Sequence, residues 1–558
     1  MKKSILALML AMAMIVGLVG CGSSSNGGGS AEKSTGAAPA AGNTDLNVMI
    51  ETGVESLDPQ VATDGTSFEF IANYTDGLMQ MDADGQPVPA IAESYDISED
   101  GKEYTFHLRD AKWSNGTPVT AADFVFAWQR AVDPDLASEY SYMLSDIGQV
   151  KNAEDIINGK KDKSELGVTA VDEKTLKVEL NVPVSYFLSL MYFPTFYPMN
   201  EEFFTNAGDS YGTSADTVLS NGAFIVDDYT VAGNSLHLTK NNDYWDADRV
   251  KLSGISYQVI QDSQQALMSY QNGDLDTTLI NGDQVDQVAG SDEFQAIGAG
   301  YLWYVSPNID QVEALKNLNI RMALTMAIDR ETITADVLKD GSQASYRAVP
   351  KDFCTGPDGK DFSEDQEMHK DVCNFDAAKA AELWEKGLKE AGIDSLELEM
   401  IVDDDDAPKK VSTVLKEQWE TTLPGLTITL RTEPKKQRVE DMQDGNFQLA
   451  LTRWGPDYAD PMTYLGMWVT GNDNNYGLWS NEEYDAIIKE CTTGETAMNP
   501  EARWAQLFDA ETIVLNEAVI FPIYGQCNAE MLSSKVTGIE FHPVALNRVY
   551  KNASKASE

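Results

Sequence analysis

The sequence predicts an α/β fold with a partly parallel sheet, and three observations lead there. Beyond Tyr301, strand-like and helix-like runs alternate: a helix over 377–390, a strand over 396–401, a helix over 411–419 and a strand over 426–430. Such alternation is the mark of crossover units, in which helices carry the chain back over a parallel sheet. Ahead of Tyr301, short runs such as Tyr104, Phe106 and Leu108 alternate apolar with polar residues and put one apolar face on a sheet. Finally, the 558-residue chain has room for two or three domains once its atypical start is set aside.

That start reads as a leader and a tether. Lys2 and Lys3 precede an apolar run over 5–16, too short to span a bilayer, and Leu18-Val19-Gly20-Cys21 closes it. The tetrapeptide resembles a bacterial lipobox, which implies cleavage after residue 20 and a lipid on the Cys21 sulfur, against the alternative of a plain signal peptide. The expected location is the extracellular face of the cell membrane, anchored at Cys21 but not spanning it. Residues 21–44 are mostly Gly, Ser and Ala, with no large apolar residue, and read as a flexible tether.

The formal net charge is −48, which makes nucleic acid an implausible partner because phosphate binding needs a basic face. Of the cysteines beyond Cys21, Cys354 and Cys373 bracket a polar loop and form the favoured disulfide; Cys491 with Cys527 is a weaker pairing. The histidines His107, His237, His369 and His542 are far apart, which argues against a histidine metal site, and they read as solvated or satisfied residues. No metal or cofactor is expected.

In chain order, strands are expected at 47–50, 95–97, 104–108 and 175–180, and a helix-like run over 68–78. Thr120 is a natural N-cap, with Asp123 placed to reach back and Val119 and Phe124 placed as a hydrophobic staple, so a helix runs on to about Ala131. The aromatic run 186–197 is followed by a strand pair over 221–238. A helix over 264–272 ends at Gly273, with a short strand at 276–279. Tyr301-Leu302-Trp303-Tyr304 is an aromatic strand, 320–328 a helix and 520–524 a late strand. Asp403 to Asp406 could hold calcium, but their spacing matches no such loop and a solvated acidic turn is the reading.

The candidate site is Arg453-Trp454-Gly455-Pro456-Asp457-Tyr458-Ala459-Asp460-Pro461. Phe447, Leu449 and Leu451 bring a strand out of the interior, and Gly455-Pro456 breaks it. A carboxylate beside two aromatics on irregular backbone suits capture of a cationic group such as a peptide's α-amino end. A surface turn with packing aromatics explains the segment equally well.

Several motifs break that tie. Tyr104-Thr105-Phe106-His107-Leu108-Arg109, Trp113-Ser114-Asn115-Gly116 and Ala122-Asp123-Phe124-Val125-Phe126 together resemble the signature of bacterial extracellular solute-binding proteins of the peptide/nickel type, family 5. Ser56-Leu57-Asp58-Pro59, Asn242-Asp243-Tyr244-Trp245 and the run 321–330 also look like its landmarks. The resemblance is nearest to the oligopeptide-binding lipoproteins. It implies a three-lobed periplasmic-binding-protein fold (class II, cluster C): lobe I from 45–75, 199–301 and 522–558, lobe II from 76–198, and lobe III from 302–521. A hinge would let lobes I and III close on an oligopeptide, and a monomer would deliver it to an ABC transporter's permease subunits. Asp457 matches the position that pairs with the α-amino group. Arg453, Trp454 and Gly455, and the loop Thr63, Asp64, Gly65 and Thr66, match segments that bond peptide backbone; Tyr458 shares the motif. Trp303, Tyr304 and Tyr140 are further pocket candidates, with core packing expected of at least one.

The chain also departs from that pattern. Leu451 and Met442 stand where relatives place arginines for the peptide carboxylate, and Leu302 and Gly455 stand where relatives carry a disulfide; Arg453 is a possible replacement cation. Other solutes of the same fold remain open: nickel chelate, haem, oligosaccharide or a signalling peptide. A secreted hydrolase is the alternative of another class, but no Gly-x-Ser-x-Gly or His-Glu-x-x-His motif is present, and no catalytic residue is assigned.

Overall fold

A computed structural model describes residues 44–83, 85–230, 233–363 and 370–556. The leader, the tether up to residue 43, Cys21 and His369 lie outside the described residues. No helix among the described residues is long and apolar enough to cross a membrane.

An eleven-stranded mixed sheet runs through the molecule. Its order is Leu426–Glu433, Leu396–Asp403, Leu449–Trp454, Phe294–Pro307, Phe521–Leu532, Thr277–Leu279, Leu46–Ile50, Gly254–Val259, Ser235–Lys240 and Phe224–Asp228, with Gln343–Ala344 beside Phe521–Leu532. Leu396–Asp403 pairs in parallel with both Leu426–Glu433 and Leu449–Trp454, and Leu46–Ile50 pairs in parallel with Gly254–Val259. The expected partly parallel sheet is therefore present. The helices between its parallel strands are Asp406–Thr422 and Lys435–Gln443; Ala377–Ala391 precedes the first of those strands, and Trp384 and Trp419 are buried with Leu398, Met400 and Leu426 in one core.

A separate antiparallel sheet joins Ala92–Ile97, Glu103–Leu108, Thr175–Glu179 and Val168–Asp172. Against it packs the helix Ala121–Ala131, which starts as its sequence dictates: the Asp123 carboxylate accepts the Thr120 N–H at 2.8 Å in a capping box. Ser263–Asn272 ends at Gly273, whose φ of +82° is cheap for a residue without a Cβ.

Two long antiparallel strands, Phe294–Pro307 and Phe521–Leu532, hold the middle of the large sheet, with an irregularity between Gly298 and Leu302. Gly300, at φ +74°, lies there beneath the Pro543 carbonyl, which a Cβ would strike, and the Tyr464 hydroxyl donates to its carbonyl.

Three expectations need correction. Cys354 and Cys373 form no disulfide; both are buried free thiols, as are Cys491 and Cys527. Cys354 sits near the Asp460 and Arg503 pair, whereas Cys373 ends a short helix whose carbonyl accepts from Arg330 at 2.5 Å. The acidic run is only partly a solvated turn: Asp403 is buried and takes the Arg438 guanidinium at 2.6 Å. His542 is neither solvated nor satisfied, because it is buried and its Nε2 has no hydrogen-bond partner among the described residues.

Candidate functional site

The strand Leu449–Trp454 reaches the site through its pairing with Phe294–Pro307, which sets Leu302 opposite Trp454 and Trp303 opposite Arg453. It stops where the Tyr301 ring lies on Gly455, a contact that leaves no room for a Cβ. Beyond the turn, the Asp457 N–H donates to Thr463 Oγ1 at 3.2 Å, which holds the residue in place.

The Asp457 side chain is half-buried, and burial raises its pKa from 3.8 to about 6. The Tyr142 hydroxyl, donating at 3.4 Å, works weakly the other way. Asp457 has no ion pair among the described residues, so its charge lacks a counterpart. Tyr140 stands beside this pair, its ring centroid 5.6 Å from that of Tyr142; burial raises its pKa, and Asp457 adds to the rise. Tyr140 also stacks on Phe193 and packs edge-on against Phe68, so it both lines the site and supports it.

The loop Thr63 to Thr66 converges on the same place. Asp64 caps the helix Gly65–Tyr74, its Oδ1 accepting the Ser67 N–H at 2.8 Å, while its Oδ2 is buried without a partner among the described residues. The charge of Asp64 is felt at Tyr140, as is that of Asp457. Thr63 and Gly65 are exposed, Thr66 lies hydroxyl to hydroxyl with Thr52 at 3.4 Å, and nothing stands within 4 Å of where a Gly65 Cβ would be.

Arg453 is held by other partners. Its guanidinium lies 4.8 Å from the Tyr301 ring centroid and 5.3 Å from that of Trp303, and Nη1 donates to Gln526 Oε1 at 3.2 Å. No carboxylate pairs with it among the described residues. The Trp454 indole N–H is buried and also unpartnered there.

Other expected residues are packing residues. Tyr304 is 3% exposed between Thr452 and Pro522, and Tyr458 is 3% exposed with its ring stacked on Tyr186 at 4.4 Å. Trp303 stacks on Tyr524, and its indole N–H donates to Gln526 Oε1 at 2.9 Å, so it serves as a wall behind Arg453. Trp303 and Tyr304, consecutive on one strand, point to opposite faces of the sheet and are buried in different cores.

Two cavities flank the segment. One, of about 420 Å³, is bounded by Tyr301, Gln343 and Gln526; the other, of about 630 Å³, by Tyr186, Asp460, Arg503 and Trp504. They share Asp352, Phe541 and Pro543, so the two adjoin, although Asp457 itself lines neither. The residues missed from sequence are Tyr142, Tyr301, Gln526, Asp352 and Phe541. Only Tyr301 had a signal, in its aromatic strand; the others arrive from distant segments. No group of three or more His, Cys, Asp or Glu that could hold a metal occurs among the described residues.

The arrangement offers a half-buried carboxylate past a strand end and a guanidinium, neither with an ion-pair partner among the described residues, and the unpartnered Trp454 indole N–H. Those are the parts of a site for a ligand carrying a positive group and a polar backbone. Known proteins agree in kind. The family model for bacterial extracellular solute-binding proteins, family 5 (middle region), matches residues 86–476. The chain is 35% identical over 522 residues to the dipeptide-binding protein of Lactococcus lactis subsp. cremoris, covering 91% of this chain and 94% of that one. It is 33% identical to the oligopeptide-binding protein OppA of Bacillus subtilis, with 97% of each chain covered. Among solved structures, Listeria monocytogenes OppA bound to peptide superposes with a TM-score of 0.76 at 34% identity, covering 93% of this chain and 100% of that one. The protein thus has the fold of these peptide-binding proteins, and the chain belongs to the bacterial extracellular solute-binding proteins of family 5.

Proposed function

We propose that the protein is the substrate-binding component of an ABC importer for oligopeptides, held at the extracellular face of the membrane by a lipid on Cys21. The observation that carries this reading is Asp457: a half-buried carboxylate with no cation of its own among the described residues, just past a strand end. A peptide's α-ammonium supplies the missing charge. Backbone bonds to the Arg453 to Gly455 edge and the Thr63 to Thr66 loop hold an extended peptide without reading its side chains. Arg453 supplies a cation for the far carboxylate. The names of the relatives point the same way.

Asp457→Ala weakens free-amino peptides by about 2–5 kcal/mol, as loss of one partner of a buried charge pair does. Calorimetric titration with a free and an N-acetylated peptide checks this; an acetylated peptide binding as tightly as the free one would sink the Asp457 assignment.

The same reading divides the chain into lobe I (45–75, 199–301, 522–558), lobe II (76–198) and lobe III (302–521). The strand order supports it, since the sheet passes from one set of segments to the other only through Phe294–Pro307 and Phe521–Leu532. Bending at Gly298 to Leu302 closes the cleft. Solution scattering should show a smaller radius of gyration with peptide than without; an unchanged radius excludes closure.

A further inference from the structure

The ladder between Phe294–Pro307 and Phe521–Leu532 is interrupted where the strands cross the middle of the sheet. Gly298 pairs with Cys527 and Leu302 with Gly525, so Ala299, Gly300 and Tyr301 stand opposite the single residue Gln526 without register partners. Extra residues of this kind let a strand pair bend locally. Groups released from a ladder need other partners, and one segment supplies them here. The Tyr464 hydroxyl donates to the Gly300 carbonyl. The Arg453 guanidinium lies over the Tyr301 ring and donates to Gln526 Oε1 at 3.2 Å. Gly455 receives the Tyr301 ring, and a Cβ on Gly300 would come within 3.1 Å of Pro456 Cγ.

Tyr464 joins this interruption to Asp457. It is fully buried, and its ring packs edge-on against Phe353 with centroids 5.1 Å apart, so its hydroxyl has a fixed direction. It lies in the short helix Met462–Leu465, which closes the turn that presents Asp457. The preceding residue, Thr463, accepts the Asp457 N–H, and the Thr463 and Tyr464 N–H groups donate to the Asp460 and Pro461 carbonyls at 3.0 and 3.1 Å. Asp457 and the Gly300 carbonyl are thus the two ends of one bonded chain through Thr463 and Tyr464. Gly300 holds φ +74°, open to a residue without a Cβ, and rotation about its backbone during bending swings that carbonyl. The bond to Tyr464 then either breaks or moves the turn with it.

We propose that Tyr464 is a positioning residue that couples the hinge to Asp457: its bond to the Gly300 carbonyl sets the turn so that the carboxylate meets a ligand's ammonium best when the cleft is closed. This rests on the peptide-binding and hinge reading above. Such coupling is reciprocal, so an ammonium at Asp457 favours closure as much as closure favours the ammonium.

The test is calorimetric titration of the parent and Tyr464→Phe with trialanine and with N-acetyl-trialanine, alongside solution scattering of each protein with and without saturating trialanine. Tyr464→Phe removes one buried hydroxyl and keeps the ring. It should weaken trialanine by about fivefold or more and leave the acetylated peptide within about twofold of the parent. It should also contract less than the parent when saturated. Combined with Asp457→Asn, the same substitution should change neither affinity by more than about twofold, because the group it positions is gone. Phe353→Leu, which loosens the ring and keeps the hydroxyl, should show the same selective loss and stands in if Tyr464→Phe does not fold. Equal losses for the two peptides, or a loss that persists alongside Asp457→Asn, make Tyr464 a packing residue and overturn the coupling. Unchanged affinities with unchanged contraction overturn it too. A parent that binds neither peptide, binds both equally, or keeps one radius of gyration throughout overturns the underlying reading and the coupling with it.

Discussion

Asp457 is stabilising for a ligand and destabilising without one. Its pKa in the folded chain, about 6, lies above the unfolded value of 3.8, so the folded state holds the extra proton. The penalty is therefore absent below about pH 3.8, grows as pH rises and is complete above about 6. It amounts to at most about 3 kcal/mol, less whatever water still reaches the half-buried group. Asp457→Asn should make the unliganded protein about 1–3 kcal/mol more stable at pH 7 and leave it unchanged at pH 3.5. Denaturant titrations at the two pH values decide it, and equal stability at pH 7 would show that the carboxylate is not strained. At this scale the sequence was partly legible. Asp457 was singled out by the family resemblance, since its own segment read equally well as a surface turn with packing aromatics. Tyr304 and Tyr458 did not sort into packing roles, because a ring's direction depends on register. Tyr142, from a segment over three hundred residues away, could not be read at all.

Elements follow local chemistry more closely. Capping residues placed Ala121–Ala131 and Ser263–Asn272 almost to the residue, since their signals lie within four positions of the ends. The expected helix over 411–419 fell short of Asp406–Thr422, which carries Pro408 in its first turn, where a missing N–H is harmless. The strand Phe294–Pro307 outruns its aromatic part because its early residues are largely exposed and lack an apolar signal. Gly455 is the element-scale weak point. Gly455→Ala should cost about 1–3 kcal/mol through overpacking against Tyr301. It should also weaken peptide binding about tenfold, because the turn that presents Asp457 shifts. Thermal melts and titration measure both, and an alanine variant that melts and binds like the parent would show that Tyr301 yields freely.

At the scale of the whole molecule, distant segments are tied together by buried charge. Arg548 bonds Glu530 at 3.0 Å and faces Glu69 at 3.6 Å, while Lys555 bonds Asp276 at 2.7 Å, so the C-terminal stretch is fastened to the first helix and to the sheet. The free cysteines give a whole-chain check. Native protein should hide Cys354, Cys373, Cys491 and Cys527 from a thiol reagent. Unfolding without reductant should expose all four, with a fifth only if Cys21 carries no lipid; two missing thiols would restore the disulfide. The sequence by itself determined the family, the α/β class and most elements, because motifs, caps and periodicity are short-range properties. Only the tertiary structure decided which rings pack and which line the site, that the thiols stay apart, and that Tyr142 faces Asp457. Those outcomes depend on register and on contacts between residues hundreds of positions apart, where burial rather than local preference sets the energy.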